Sequence, residues 1–194
     1  MPTIKPSHNN LTMLFSEKQI QKRVTELANE IENTIDPNLP IHLIGVLKGG
    51  FIFLADLARA FSRSVTIDFV RCSSYENDTT PGQPHIYERT DESLSGKYVL
   101  LVEDIVDTGE TLNTLRELIL KQRPKELHTV CLLDKKIKRR KFTNVSYVGF
   151  SVENVFVVGY GLDYAQFYRN LPYIAALSTH ESDTAPTIAS TSSS

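Results

Sequence analysis

Residues 99–114, VLLVEDIVDTGETLNT, are compatible with very few folds. Four apolar residues, Val99 to Val102, run straight into Glu103 and Asp104. Two more apolar residues follow, and then Asp107, Thr108, Gly109, Glu110 and Thr111 lead into the spacing Leu112, Leu115, Leu118, Ile119. A continuous apolar run bounded by turn residues reads as a strand buried on both faces, the kind found in parallel sheets. The switch to 3.6-residue spacing makes the stretch a strand–loop–helix unit. Its loop opens with carboxylates and closes with hydroxyls and a glycine at a helix N-terminus.

The rest of the chain repeats that alternation. Ser16 and Gln19 form a capping-box sequence flanked by Phe15 and Ile20, and Ile20, Val24, Leu27 and Ile31 recur at helical spacing, which predicts a helix over 17–33. Pro37 and Pro40 end it. Ile41–Leu47 reads as the first buried strand, Lys48-Gly49-Gly50 as a turn, and Phe51, Leu54, Leu57, Ala58 and Phe61 as the stripe of a second helix. Val65, Ile67 and Phe69 alternate with polar residues, so 65–72 is a strand. A polar segment from Ser73 to about Gly96 follows, with a short strand expected at His85-Ile86-Tyr87; a loop of that length in a compact domain marks a lid or binding loop. Leu127–Leu133, Val145–Phe150 and Val155–Val158 are further strands, and Pro172–Leu177 is a last apolar piece. Strands alternating with helices imply an α/β fold, a mostly parallel central sheet flanked by helices, within one domain over residues 1–178. Residues 1–11 are polar and expected to fray. The Ser/Thr-rich tail, 179–194, is too poor in apolar area to offset its ordering entropy and is expected to be disordered.

Charge excludes some classes of function. Lys plus Arg number 21 and Asp plus Glu 23, a net charge of −2 that argues for neither nucleic acid nor anionic membrane. The run KKIKRRK at 135–141 is the one basic cluster, and reads as a solvated face with an RNA contact as its rival. No apolar stretch approaches membrane-spanning length, and MPTIKPSHNN lacks the apolar core of a signal peptide. Cys72 and Cys131 each sit in an apolar stretch and read as buried free thiols of a reducing compartment, so the expected location is cytoplasmic.

The central loop carries chemistry. Unpaired N–H groups at a helix start hold phosphate readily. Thr108 and Thr111 add hydroxyl donors, and Gly109 allows close backbone approach. Glu103 and Asp104 would repel that phosphate, so they need sugar hydroxyls or a hard cation such as Mg²⁺. A loop with one end for phosphate and the other for diol and metal suits a ribose 5-phosphate. An ordinary acidic turn before a threonine-capped helix is the plainer reading. Lys48, Asp104–Thr111 and Lys135 all follow predicted strand ends, where ligands of such sheets bind.

VLLVEDIVDTGETL resembles the phosphoribosyl-pyrophosphate (PRPP) signature of type I phosphoribosyltransferases, in the form carried by the hypoxanthine-guanine enzymes. LKGG at Leu47–Gly50, Ser74-Tyr75, Lys135, and FVVGYGLDY at Phe156–Tyr164 with Arg169 are similar to further family elements in the same order, so the likeness spans roughly residues 12 to 178. It implies the type I phosphoribosyltransferase fold, with a small hood formed by the N- and C-terminal segments. It also implies transfer of the 5-phosphoribosyl group from PRPP to hypoxanthine and/or guanine, with Mg²⁺ as cofactor, in a homodimer or homotetramer that binds neither membrane nor nucleic acid.

Residue roles follow from the same resemblance. Asp107 is the expected general base, taking or sharing a purine N–H proton; a helix cap is its plainer role. Ile105, Val106, Asp107, Thr108, Gly109, Glu110 and Thr111 would hold PRPP by its 5-phosphate. Glu103 and Asp104 would hold the ribose diol and metal. Leu47, Lys48, Gly49 and Arg169 would contact pyrophosphate, with a non-proline cis peptide at Leu47–Lys48. Ser74 and Tyr75 would begin a catalytic lid. Lys135 would donate to the purine 6-oxygen, Phe156 would stack on the base and Val157 read its edge, and Asp163 would serve the purine site and act as a second metal carboxylate. The rivals are a PRPP-fold regulatory protein binding RNA through 135–141, and a xanthine-preferring transferase.

Overall fold

A computed structural model describes residues 10–73, 85–86, 93–137 and 144–178. The apolar run at its centre becomes β5 (Tyr98–Val106), flanked by β2 (Ile41–Leu47) and β6 (Glu126–Lys135). Outside these lie β3 (Val65–Ser73) and β7 (Tyr147–Val152), giving five parallel strands in the order β3-β2-β5-β6-β7. The short β4 (His85–Ile86) pairs antiparallel to β3 at the edge.

Alternation across the pleat explains why β5 is apolar throughout. Leu100 and Val102 pack with α1 (Glu17–Glu32) and α2 (Phe51–Ala60) on one face, while Val99 and Leu101 pack with Leu112, Leu115 and Ile119 of α3 (Glu110–Leu120) on the other. Helix α1 starts on the expected capping box: Gln19 N–H donates to Ser16 Oγ at 3.4 Å, and Ser16 N–H to Gln19 Oε1 at 2.9 Å. A second, three-stranded antiparallel sheet joins β1 (Leu11–Phe15), β9 (Ile174–Leu177) and β8 (Val157–Val158). It is the hood built from the two ends of the chain. Cys131 is a buried free thiol.

Three expectations need correction. The central strand does not stop at Val102. Its backbone stays paired to β6 out to Val106 opposite Asp134, so Glu103 and Asp104 are strand residues. A ladder of backbone bonds is indifferent to side-chain charge, and β6 continues to hold β5 after the pairing with β2 has ended at Val102. For the same reason Lys135 closes β6 instead of following it. Finally, Leu11, expected to fray, opens β1, because β9 supplies an edge for it to pair with.

Candidate active site

The carboxyl ends of β2, β5 and β6 converge, and the site is built there. The loop after β2 carries the expected cis peptide between Leu47 and Lys48. It then crosses directly over Asp104. A Cβ on Gly49 would land inside the Asp104 carboxylate, and one on Gly50 would come within 2.9 Å of Val46 O. Two glycines are therefore needed so that bare backbone can lie on the end of β5.

Glu103 and Asp104 are only 8% and 9% exposed. Burial, then the charge of Asp104, pushes the Glu103 carboxyl well above its ordinary range. Burial raises Asp104 as well, but it is opposed by the hydrogen bond from Glu103, the Ile105 amide and the Arg169 charge. Of the two acids, Glu103 is thus held the more strongly toward its neutral form and Asp104 stays nearer to the anion. Ile105 N–H fixes Asp104 Oδ1 at 2.9 Å.

This arrangement sets a pH dependence. Above the ordinary carboxyl value of 4.5 an unfolded chain ionises Glu103 while the folded one resists, so the folded state loses stability as pH rises through that interval. Glu103→Gln removes the loss. The variant should melt higher than the parent at pH about 8, with the gain vanishing below pH about 4.5; equal melting temperatures at both ends in calorimetry would refute the upward shift of Glu103.

Beyond the acids, a cleft of about 240 Å³ is lined by Glu103 to Gly109, Thr111 and Leu112. Glu110 opens α3 but does not line it. Gly109 is the helix N-cap with φ 79°, a left-handed conformation open to glycine. The capping role weighed for Asp107 therefore belongs to Gly109. The Asp107 side chain instead reaches Lys135, whose Nζ donates to Asp107 Oδ2 at 2.8 Å. Lys135 is largely covered, at 13% exposure, and Asp107 is half open. Its neighbour Lys136 pairs with Glu153 at 2.9 Å, so the described part of the basic run is engaged within the chain. Residues 138–141 lie outside the described residues.

The hood lies against the Lys48-Gly49 loop, which it meets at Gly161. Phe156 is 45% exposed and meets Tyr164 edge to face, with ring centroids 5.6 Å apart, while Val157 begins β8 and is buried. Arg169 pairs with Asp163 at 2.7 Å and donates to Gly161 O at 2.7 Å. Gln166, which nothing in the sequence singled out, accepts from both Lys48 Nζ at 3.5 Å and Arg169 Nη2 at 3.4 Å. It has φ 72°, so its placement depends on a left-handed turn that glutamine does not advertise. Asp163 does not join Glu103 and Asp104: among the described residues no three His, Cys, Asp or Glu side chains form one metal-holding group. Ser74 and Tyr75, the expected start of a lid, lie outside the described residues.

The pattern of a cleft at a helix start, an acid pair beside it and a hood carrying an Arg169–Asp163 ion pair has counterparts. Residues 10–165 match the phosphoribosyl transferase domain family. The hypoxanthine-guanine phosphoribosyltransferase of Aquifex aeolicus is 46% identical over 165 residues, which cover 84% of this chain and 93% of that protein. The hypoxanthine phosphoribosyltransferase of Escherichia coli is 42% identical over 168 residues, 86% of this chain and 94% of that one. Among solved structures, hypoxanthine phosphoribosyltransferase from Trypanosoma cruzi in complex with the product IMP superposes with a TM-score of 0.81 at 40% identity, covering 90% of this chain and 98% of that one.

Proposed function

Since the chain belongs to the phosphoribosyltransferase family, in its hypoxanthine-guanine branch, we propose that it transfers the 5-phosphoribosyl group of PRPP to hypoxanthine and/or guanine, releasing pyrophosphate. The product would be IMP or GMP, and the pathway purine salvage. One observation carries the choice of base: Lys135 Nζ and Asp107 Oδ2 stand 2.8 Å apart as a donor beside an acceptor. A 6-oxopurine presents the complementary pair on one edge, a 6-oxygen that accepts and a ring N–H that donates. Adenine would turn an amino donor toward Lys135, and two donors do not bond.

The remaining roles follow from charge and placement. Amides at the start of α3, with Thr108 and Thr111, hold the 5-phosphate. Glu103 and Asp104 accept from the ribose diol. Lys48, the Gly49 backbone and Arg169 take the pyrophosphate, Arg169 with charge-assisted bonds. As the bond to pyrophosphate stretches, the sugar carbon gains oxocarbenium character and the purine nitrogen attacks from the opposite face. Asp107 accepts or shares the N–H proton that the purine gives up. The base lies against Phe156, with the Val157 backbone at its edge.

Two buried carboxylates presenting hard oxygens fit Mg²⁺, which keeps waters and substrate oxygens as its other ligands. Glu103 and Asp104 would hold it from the sugar side, and Asp163 a second ion on the pyrophosphate side. When bound, the ion neutralises charge on the leaving group. Loss of the Glu103 proton would accompany its arrival.

No helix among the described residues is long and apolar enough to cross a membrane. The buried thiol of Cys131 supports a reducing, cytoplasmic setting. Ile67 and Phe69 of β3 stay 42% and 40% exposed because α2 covers β2 and β5 instead, which supports assembly into a homo-oligomer. One experiment tests the reading. Offered PRPP and Mg²⁺ with each of four bases, the protein should form nucleotide and pyrophosphate with hypoxanthine or guanine, and at least about 10²-fold less efficiently with adenine. Xanthine separates the narrower preference. Equal use of adenine would overturn the pairing at Lys135, and sedimentation of the same sample as a monomer would end the expectation of an oligomer.

A further inference from the structure

Tyr160 takes no part in the roles above, yet it is tied down more fully than its neighbours. It is 5% exposed and adopts φ 51°, a left-handed conformation a bulky residue keeps only where its surroundings impose it. Its N–H donates to Leu171 O at 2.8 Å. Its hydroxyl donates to Asp56 Oδ2 at 2.5 Å, and Asp56 pairs in turn with Arg59 within α2. Burial and then the bond to Asp56 push the phenol upward, so it remains a donor at working pH.

The next residue explains what the tie is for. Gly161 has φ 99° and lies against the pyrophosphate loop so closely that a Cβ there would enter the Gly49 carbonyl oxygen. Gly161 N–H donates to Arg169 O at 3.0 Å, and Arg169 Nη1 returns to Gly161 O at 2.7 Å. The hood segment that carries Asp163 and Arg169 thus meets the Lys48-Gly49 loop through bare backbone at Gly161, and the bond from Lys48 Nζ to Gln166 Oε1 beside it is long, at 3.5 Å. Asp56 sits on α2, the helix that leaves directly from that loop. Phe156 and Val157 are held separately: Val157 pairs with Ala176, and Leu177 N–H donates to Phe156 O at 2.8 Å.

We propose that Tyr160 and Asp56 are a positioning pair that sets the hood loop against the pyrophosphate loop, so that Arg169 and Lys48 close on pyrophosphate together. The proposal rests on the function proposed above. In Tyr160→Phe, which keeps the buried ring, the KM for PRPP and for pyrophosphate in the reverse direction should rise about 5- to 20-fold. Turnover and the affinity for IMP should stay within about twofold, because the phosphate cleft and the base-stacking strand are untouched. Asp56→Ala should match it, Asp56→Asn should recover most of the loss through its amide oxygen, and the Tyr160→Phe, Asp56→Ala double variant should be no worse than either alone. A fall in IMP affinity as large as that for pyrophosphate, or a lowered melting temperature with KM unchanged, would overturn the proposal. Pyrophosphate binding by calorimetry reads the pair without turnover. A parent that binds pyrophosphate but forms no nucleotide therefore counts against the reaction, and indifferent variants of an active parent count against the pair.

Discussion

Replacing Asp107 by Asn is expected to lower turnover by about 10²- to 10⁴-fold while PRPP affinity stays within about threefold. The amide keeps the shape and a carbonyl oxygen, but it cannot accept the purine proton. It also dissolves the 2.8 Å ion pair with Lys135, so the purine KM should rise along with the fall in kcat. Folding should be little affected: the N-cap of α3 is Gly109, and the Asp107 carboxylate is half open to solvent. Steady-state kinetics in both directions, with a melting curve for each protein, separate these effects. Turnover equal to the parent would remove Asp107 from proton transfer and leave Lys135 as the only polar selector of the base.

Much of this architecture is legible because burial imposes pattern. A strand covered on both faces must be apolar without interruption, so β2 and β5 announce themselves, and the capping box announces α1. The loop from Asp107 to Thr111 is legible for a different reason. Phosphate needs glycine, hydroxyls and a helix start within a few residues, and that need is local in the chain. Glu103 and Asp104 are the instructive failure. Charged residues read as the end of a strand, yet here they continue one, because both line the cleft while the backbone stays in the ladder. Contacts between segments distant in sequence leave no local trace. Lys135 lies 28 residues from Asp107, and Tyr160 lies 104 from Asp56, so neither pairing follows from periodicity or spacing. Gln166 and Tyr160 add a second obstacle, since left-handed conformations are cheap for glycine alone and these side chains give no sign of adopting them.

What the fold does with these pieces is to interlock three backbones at one point. The end of β5 presents Asp104, the loop after β2 crosses it at Gly49, and the hood touches that loop at Gly161. The strand end, the loop after β2 and the hood are therefore aligned through contacts that only the absence of a side chain permits. The interlock has little slack: Asp104 is held by Ile105 N–H at 2.9 Å and is 9% exposed.

Gly49→Ala should accordingly be among the most damaging single-methyl changes in the molecule. Its Cβ would occupy the space of the Asp104 carboxylate, which is buried and held by Ile105 N–H, so one of the two must be displaced. Either the loop lifts, separating Lys48 from Arg169 and Gly161 from its seat, or Asp104 swings away from the sugar. Both displacements approach 1 Å or more at reacting groups, so kcat/KM for PRPP should fall by about 10²-fold or further. The strain itself should cost stability by about 1–3 kcal/mol, the range for an added methyl in a packed site. A cycle with Asp104→Ala identifies the cause. Once the carboxylate is gone the new methyl has room, so Gly49→Ala on that background should cost only a few-fold in pyrophosphate affinity. The same loss in both backgrounds would mean that the glycine serves something other than Asp104, and full activity in the single variant would mean that the loop and the strand end are not locked together.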